Sequence, residues 1–442
     1  MRKTPYAVAL ILMLACLAGS GQGRELTLEQ AVNEALANNQ DYLMARAELE
    51  RAQAEIQRAT AEALPDLSFS SSYTRNLEIP EVVFGGMSFK LGTDNSISAG
   101  LTLKQPIWQG GKVAGAIKIA RLYRRYTEAA VQETEAEIKF AVRQSFLNAI
   151  LAQDVVAVYR DALATAELNH EMIAKMQAQG VVSEYEKLRA EVEVANLKPQ
   201  LLQAQNQATL ALNALENLIA ADRREEVTLR YDFDSTLAQQ SYRFDQLLEV
   251  ALARRAALQR QERLAEITQR AIGIAKAERS PKFDFVSHYG WSYQSDDFGL
   301  EGYKWSPSWT ATINLSFPIF NGFSTKASIR KAKVDNLQAE LSYEKLRDQV
   351  ELQVRDAFLS YNEATERLQT QIKTIEQAEE GLRIARIRYQ NGVGTQLEIL
   401  SSETALTQAR TNYVQATHDA ALAVYRLLRV TGVNQINELK EQ

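Results

Sequence analysis

Residues able to do chemistry are few in this chain, and their spacing argues against catalysis. There are three histidines, His170, His288 and His418, and one cysteine, Cys16. A single thiol cannot close a disulfide within the chain, and ligands this scattered cannot assemble a structural zinc site. No histidine stands in a recognisable motif with Ser, Cys or Asp. Gln109-Gly110-Gly111-Lys112 lacks the strand, the spacing and the Ser or Thr of a phosphate loop. No enzymatic activity, metal or cofactor is expected. Two acids are more informative, because they repeat: Glu186 lies six residues beyond Gly180, and Glu398 six beyond Gly392. Taken singly, each is a solvated glutamate on a helical face.

The composition points to long helices. The 442 residues are 46% hydrophobic and 24% charged, with 20 Gly and 8 Pro, few turn formers for the length. A formal net charge of -5 gives no electrostatic footprint for nucleic acid, which is not expected as a partner. Met1-Arg2-Lys3, an apolar run over 6–18 and a small-residue tail to Gly23 predict a secretory signal peptide over 1–23, too short to span a bilayer. Met13-Leu14-Ala15-Cys16 is an imperfect lipoprotein box, so Cys16 is either a lipidation site or a residue discarded with the leader. No other stretch approaches the roughly 18 apolar residues of a transmembrane helix.

The chain is written twice. Thr27-Leu28-Glu29-Gln30-Ala31 answers to Arg243-Phe244-Asp245-Gln246-Leu247, and the offset holds to Pro65 and Pro281. From Pro106-Ile107-Trp108-Gln109-Gly110 and Pro318-Ile319-Phe320-Asn321-Gly322 it shortens by four residues. It then persists through Val142-Arg143-Gln144-Ser145-Phe146 and Val354-Arg355-Asp356-Ala357-Phe358. The shortening falls between the paired prolines, where a surface loop is cheap to trim. One repeat covers 24–221: a polar helix to about Ala63, a β-hairpin over about 66–104, a long helix over about 112–178 and a return helix over about 183–220. The other covers 243–432: a helix to about Arg279, a hairpin over about 282–317, a long helix over about 324–390 and a return helix over about 395–430. Residues 222–242 link them, with Val227 to Tyr231 as a short strand, and 433–442 form a tail.

The long helices carry a coiled-coil seam. Ile138, Val142, Ser145, Ala149, Ala152, Val156, Tyr159, Leu163, Ala166, His170 and Ile173 step by four and three, as do Val350, Val354, Ala357, Tyr361, Ala364, Leu368, Gln371, Ile375, Ala378, Leu382 and Ala385. Small seam residues let helices approach closely but bury little per contact. At 1.5 Å per residue each long helix is a rod of about 100 Å.

Between the prolines the period drops to two. Leu67, Phe69, Ser71 and Tyr73, then Ile97, Ala99, Leu101 and Leu103, alternate with Ser, Thr and Gly. Phe283, Phe285, Ser287, Tyr289, Trp291 and Tyr293 share a face, as do Trp309, Ala311, Ile313, Leu315 and Phe317. Segments of about ten residues with one apolar, aromatic face and one small polar face are the pattern of outer-membrane barrel strands. The same dyad also suits an amphipathic sheet over a soluble core. Four strands cannot close a barrel, and open edges in hydrocarbon leave backbone groups unpaired. Two chains would supply eight strands, a barrel filled by its own side chains, and three would supply twelve and leave room for a conduit.

This order resembles the TolC-like outer-membrane efflux proteins over essentially the whole mature chain. The resemblance is carried by Gln105-Pro106-Ile107-Trp108-Gln109-Gly110-Gly111 and Phe317-Pro318-Ile319-Phe320-Asn321-Gly322, similar to that family's strand-to-helix swivels. It is carried also by Tyr389-Gln390-Asn391-Gly392-Val393-Gly394-Thr395 with Leu397-Glu398-Ile399-Leu400, and by Gln179-Gly180-Val181-Val182-Ser183. The fold implied is mainly α with a small transmembrane β part: long antiparallel coiled-coil helices forming an α-barrel tunnel, continuous with a trimeric twelve-stranded β-barrel, in an internally duplicated chain. The function implied is the outer-membrane channel-tunnel of a tripartite efflux or type I secretion system, a passive exit duct across the periplasm and outer membrane. The partners implied are further copies of the chain (a homotrimer), a periplasmic adaptor or membrane fusion protein, an inner-membrane pump of the resistance-nodulation-division or ABC type, and outer-membrane lipid. The alternative is a secreted coiled-coil structural protein without channel activity.

The resemblance also assigns residues. Pro106, Gly110, Pro318 and Gly322 fall at the swivels, where proline suits the first turn of a helix. Gly180, Val181, Gly392 and Val393 fall at the helix-tip turns that an adaptor engages, and glycine accepts the left-handed φ of a helix C-cap. Tyr389 matches a gate residue. Glu398 matches an acid at the pore entrance, with Glu186 as its first-half counterpart; three copies of Glu398 would form a cation-favouring ring. Gly394 and Ser401 depart from the pattern, which has an arginine and a second acid there.

Overall fold

The structure, a computed structural model of the full chain, describes residues 24–220, 227–231, 240–297 and 304–433. The predicted signal peptide with Cys16, most of the linker and all but Val433 of the tail lie outside the described residues. The chain divides into two compact units. One comprises Met1–Arg46, Val131–Ala256 and Arg347–Gln442, and the other Ala47–Ala130 and Ala257–Leu346.

In chain order the elements are β1 (Arg24–Thr27), α1 (Leu28–Asn38), α2 (Gln40–Ala61), β2 (Asp66–Arg75), β3 (Glu81–Phe84), β4 (Met87–Lys90), β5 (Asn95–Gln109), α3 (Lys112–Ala178), α4 (Glu184–Ile219), β6 (Val227–Arg230), α5 (Phe244–Arg254), α6 (Ala256–Ala277), β7 (Lys282–Ser295), β8 (Ser306–Ser316), α7 (Ser324–Gln390) and α8 (Gln396–Thr431). The helices α3 and α7 have 67 residues each, and α4 and α8 have 36 each. Among the described residues no helix is long and apolar enough to cross a membrane.

The first unit is a helical assembly on the predicted seam. Val142, Ala149, Ile173, Val350, Val354, Ala357 and Tyr361 are almost wholly buried. A core of Leu26, Ala31, Val32, Ala35, Val142, Phe146, Leu215, Ile219 and Val227 ties α1 and the parallel β1–β6 pair to α3 and α4. The repeated Val-Arg-x-x-Phe motif makes aromatic contacts in both halves, with different partners. The Arg143 guanidinium stands over the Tyr425 ring at 4.9 Å and that of Arg355 over Phe244 at 4.7 Å. Phe146 meets Tyr231 and Phe358 meets Phe244. The helices predicted to run unbroken to Ala63 and Arg279 are each interrupted once. Asn39 is extended at φ -65° and ψ 127°, its N–H closing α1 on Ala35 while its Oδ1 accepts from the N–H groups of Asp41 and Tyr42. It ends one helix and begins the next. Arg255 makes the corresponding break, at φ -68° and ψ 119°.

The second unit holds a four-stranded antiparallel sheet in the order β2-β5-β7-β8. Its register sorts the side chains by face, because directly opposed residues point the same way. Phe69, Leu101, Tyr289 and Trp309 stand in one row across all four strands, and Leu67, Leu103, Ser287 and Ala311 in the next. The row between them is Ser68-Thr102-His288-Thr310, and the row beyond Phe69 is Ser70-Gly100-Gly290-Ser308. One face is continuous apolar and aromatic surface, with Trp309 Nε1 donating to Ser287 Oγ over 2.9 Å; the other is small and polar. Among the described residues, β2 and β8 are each paired on one side only. The ribbon between β2 and β5 carries its own pair, β3 with β4.

Neither swivel proline lies where predicted, in the first turn of a helix. Pro106 is not in the first turn of a helix: β5 continues through it to Gln109, paired with β7, and a β-bulge opens between Pro106 and Trp108. A bulge is one of the few places where a sheet tolerates a residue without an N–H. Pairing with β7 resumes beyond the bulge, and Gln109 Nε2 donates to Asp284 Oδ1 on that strand over 2.7 Å. The second junction differs. The edge strand β8 stops at Ser316, and Pro318 follows in irregular backbone. A strand thus does precede Gln109-Gly110-Gly111-Lys112, although the spacing and hydroxyl of a phosphate loop are still lacking.

Candidate functional site

The reversals after α3 and α7 are built alike. At the first, Gly180 has φ +75°, its N–H reaches Gln177 O, and Val181 N–H reaches Met176 O over 2.9 Å. At the second, Gly392 has φ +74°, its N–H reaches Tyr389 O, and Val393 N–H reaches Arg388 O over 3.0 Å. Glycine is required there because the left-handed region is unfavourable for an L side chain. The turns leave Val181, Tyr185, Val393 and Leu397 exposed.

Both glutamates then fall at the third position of a helix. Ser183 Oγ caps α4 by accepting from Glu186 N–H, and Thr395 Oγ1 caps α8 by accepting from Glu398 N–H. The spacing Ser-x-x-Glu and Thr-x-x-Glu is a capping signature, so the repeated acids have a local reason to exist. The carboxylate of Glu398 has a different partner: its Oε2 lies 3.2 Å from Arg388 Nε in an ion pair between the last turn of α7 and the first of α8. The Arg388 guanidinium also reaches the Val393 carbonyl.

Position 394 is a glycine packed on the Arg388 backbone. Gly394 donates its N–H to Arg388 O, and a Cβ there would sit 2.9 Å from Arg388 Cβ and from Tyr389 N. A side chain at 394 would therefore displace the end of α7. Ser401 lies on the exposed side of α8.

Tyr389, like Leu406, packs against the cluster of Leu382, Ala385 and Ile399. Its hydroxyl is buried without a hydrogen-bond partner, and burial, then the negative charge of Glu186, pushes the phenol above its ordinary range. Beside it is a cavity of about 280 Å³, lined among others by Asn169, Met172, Arg386 and Glu403. Arg386 Nη2 pairs with Glu403 Oε1 at 3.1 Å. Burial raises the Glu403 carboxyl above the usual carboxylate range, Arg386 opposes this, and Glu193 adds to it. Gln396, 2% exposed, donates from Nε2 to the backbone carbonyl of Glu186 over 2.9 Å. Tyr389, Glu186 and Glu398 are thus brought to one end of the helical unit, joined by Arg388, Gln396 and Glu403, which spacing alone did not single out. Among the described residues no group of three or more His, Cys, Asp or Glu stands together to hold a metal ion.

At the swivels, Gly110 has φ +64°, and a Cβ there would meet Ser280 Cβ at 2.5 Å and Ala277 O at 2.7 Å, which seats the turn on the end of α6. Gly322, at φ +63°, faces open space and is followed by Phe323 at φ +67°.

A family model described as outer membrane efflux protein matches residues 31–221 and again 247–433. The chain is 23% identical over 417 residues to a probable outer membrane lipoprotein, SilC, of Salmonella typhimurium, covering 92% of this chain and 85% of that one. It is 22% identical over 397 residues to the cation efflux system protein CusC of Escherichia coli, covering 88% and 84%. Among solved structures, the outer membrane protein VceC of Vibrio cholerae superposes with a TM-score of 0.77 at 20% identity, covering 92% of this chain and 96% of VceC. A membrane protein of Pseudomonas aeruginosa superposes with 0.80 at 21% identity, covering 92% of each. With two matches that together take in most of its length, one for each half, the chain belongs to the outer membrane efflux protein family.

Proposed function

We propose that this chain is the passive exit duct of a tripartite efflux or type I secretion assembly. Three copies close a twelve-stranded barrel in the outer membrane, and their helices enclose a periplasmic tunnel. The observation that carries this reading is the four-stranded sheet with a continuous apolar, aromatic face and two edges paired on one side only. Backbone groups on open edges cost several kcal/mol apiece in hydrocarbon, so a lipid-facing sheet of this size needs further copies of itself. Exposed apolar stripes on α4 (Tyr185, Leu188, Val192, Leu202) and α7 (Leu352, Leu359, Ile384) suit lateral packing of the same copies.

At the tip, Gly180, Val181, Gly392 and Val393 present small and apolar surface for a periplasmic adaptor. Tyr389, Glu186 and Glu398 line the entrance. The duct does no chemistry, and an inner-membrane pump of the resistance-nodulation-division or ABC type supplies the energy. Purified protein reconstituted in planar bilayers tests the core of the reading: discrete channels from a species with the mass of three chains are expected. A folded, lipid-free monomer in plain buffer would overturn it and favour a secreted coiled-coil protein.

A further inference from the structure

His288 occupies a built seat on the polar face of the sheet. Its Nδ1 is 2.9 Å from Thr102 Oγ1 on the neighbouring strand β5, which pins the ring. The imidazole lies across Gly100 and Gly290, which oppose each other directly in the register and are both buried. A Cβ on Gly100 would come within 2.7 Å of the ring's Cε1, and one on Gly290 within 2.7 Å of its Nε2. Glycine weakens a strand interior, and two opposed glycines concentrate that weakness at one point unless a ring covers them. A phenyl ring would cover them equally well. An imidazole adds what a phenyl lacks: a hydrogen bond to Thr102 and the capacity to carry a proton, and with it a charge.

The surroundings leave that charge conspicuous. On the polar face β2 carries Asp66, β5 carries Lys104, and β7 carries Lys282 and Asp284 besides His288. The same face of β8, from Ser306 to Ser316, has no charged residue. Asp66 and Lys104 oppose each other in the register, and Asp284 Oδ1 accepts from Gln109. From Thr102 and His288 up to the Ser72-Ser98-Ser292-Ser306 row, the face is otherwise hydroxyls and glycine.

We propose that His288 is a fixed titratable group in the wall of the conduit and sets how the duct's ion preference responds to pH. The inference rests on the duct reading, in which the polar face lines water. Protonation adds one positive charge per chain, so acidification lowers preference for cations. Across a wide aqueous lumen the effect is screened within about 10 Å at 0.1 M salt but carries roughly 30 Å at 10 mM. It is therefore a low-salt effect.

The test uses full-length protein in planar bilayers at about 10 mM salt, stepping from about pH 8 to about pH 5.5. Glu398→Gln serves as the background, which removes the carboxylate ring as a second source of pH dependence. The cation-to-anion permeability ratio is expected to fall about two- to threefold, and the fall to vanish at 1 M salt. When His288→Gln, whose amide keeps a partner for Thr102, is added to that background, the ratio is expected to stay flat over the same step. A fall of equal size with and without His288→Gln would overturn the inference and leave the duct standing. Absence of channels in every form would overturn the duct and the inference together.

Discussion

The side-chain amide of Gln396 donates to the backbone carbonyl of Glu186 over 2.9 Å, joining the first turns of α8 and α4 across 210 positions of sequence. Gln396 Oε1 has no partner, so the buried amide is only half satisfied and depends on the bond its Nε2 makes. Gln396→Leu keeps the volume and removes the donor. The expected loss of stability is small, about 1 kcal/mol. If this end is the entrance of the proposed duct, the variant also loses a tie between the first turns of two helices there. Single-channel recording is expected to show higher conductance than the parent, and equal conductance would show that the tie does not restrain the entrance.

Arg388 and Glu398 give a second handle on the entrance. Their side chains are 52% and 42% exposed, so the pair contributes at most about 1 kcal/mol and its removal leaves thermal stability nearly unchanged. In the proposed duct, its electrostatic effect on ion preference is expected to be larger. Arg388→Ala uncovers the carboxylate and is expected to raise cation preference in reversal-potential measurements, whereas Glu398→Gln is expected to lower it. Movement of both variants in the same direction would remove the pair from the ion pathway.

These tip contacts mark where sequence stops being legible. Long helices show themselves because a period near 3.5 persists over many turns, and strand faces because the dyad alternates cleanly through Phe283, Phe285 and Tyr289. The break at Asn39 hides in an Ala-rich pattern that continues on both sides; its only local sign is an asparagine able to cap. Arg255 offers no sign at all, since its extended backbone reflects packing and not propensity. Pro106 misleads because the rule that proline ends a strand yields to a bulge held by the neighbouring strand. Arg388 and Gln396 act through partners ten and 210 residues away, and no short-range pattern specifies either pairing.

Glu403 predicts a pH dependence of stability at the tip. Burial, the largest influence, lifts its carboxyl above the ordinary range, with Arg386 opposing. A group that holds its proton more tightly in the folded state contributes stability that is fully present below its unfolded value, near 4.3 for glutamate, and is lost as pH rises through the raised folded value. Glu403→Gln removes this contribution. The melting temperature, followed by circular dichroism between about pH 4 and 7, is expected to fall with rising pH more steeply in the parent than in the variant. Parallel slopes would mean that Glu403 is ionised without penalty.

Gly110 and Gly111 separate backbone strain from collision. Both have positive φ, +64° and +84°, but a Cβ on Gly111 meets nothing within 4 Å while one on Gly110 runs into Ser280 and Ala277. Gly111→Ala is expected to cost about 1–2 kcal/mol, the left-handed penalty alone. Gly110→Ala is expected to cost more, because the turn must lift off the end of α6. Comparative thermal denaturation of the two variants checks the order, and equal costs would show that the turn moves freely.

The face assignment of the sheet can be tested at adjacent residues of one strand. Ile313 is 69% exposed on the apolar face of β8, in register with Phe285, and Thr312 lies on the polar face in register with Val286. In a sheet that meets lipid on its apolar face, lysine at position 313 places an ammonium in hydrocarbon at about 2–4 kcal/mol if it lies near the midplane, while lysine at 312 projects into water at little cost. Ile313→Lys is therefore expected to reduce the yield and heat resistance of the assembled form on refolding into detergent or lipid, and Thr312→Lys to leave both close to the parent. Ile313→Thr, which removes the apolar side chain without adding a charge, separates loss of the isoleucine from the cost of the ammonium. Equal tolerance at the two positions would mean that neither face meets lipid, and the sheet would then have to bury its aromatic surface against protein.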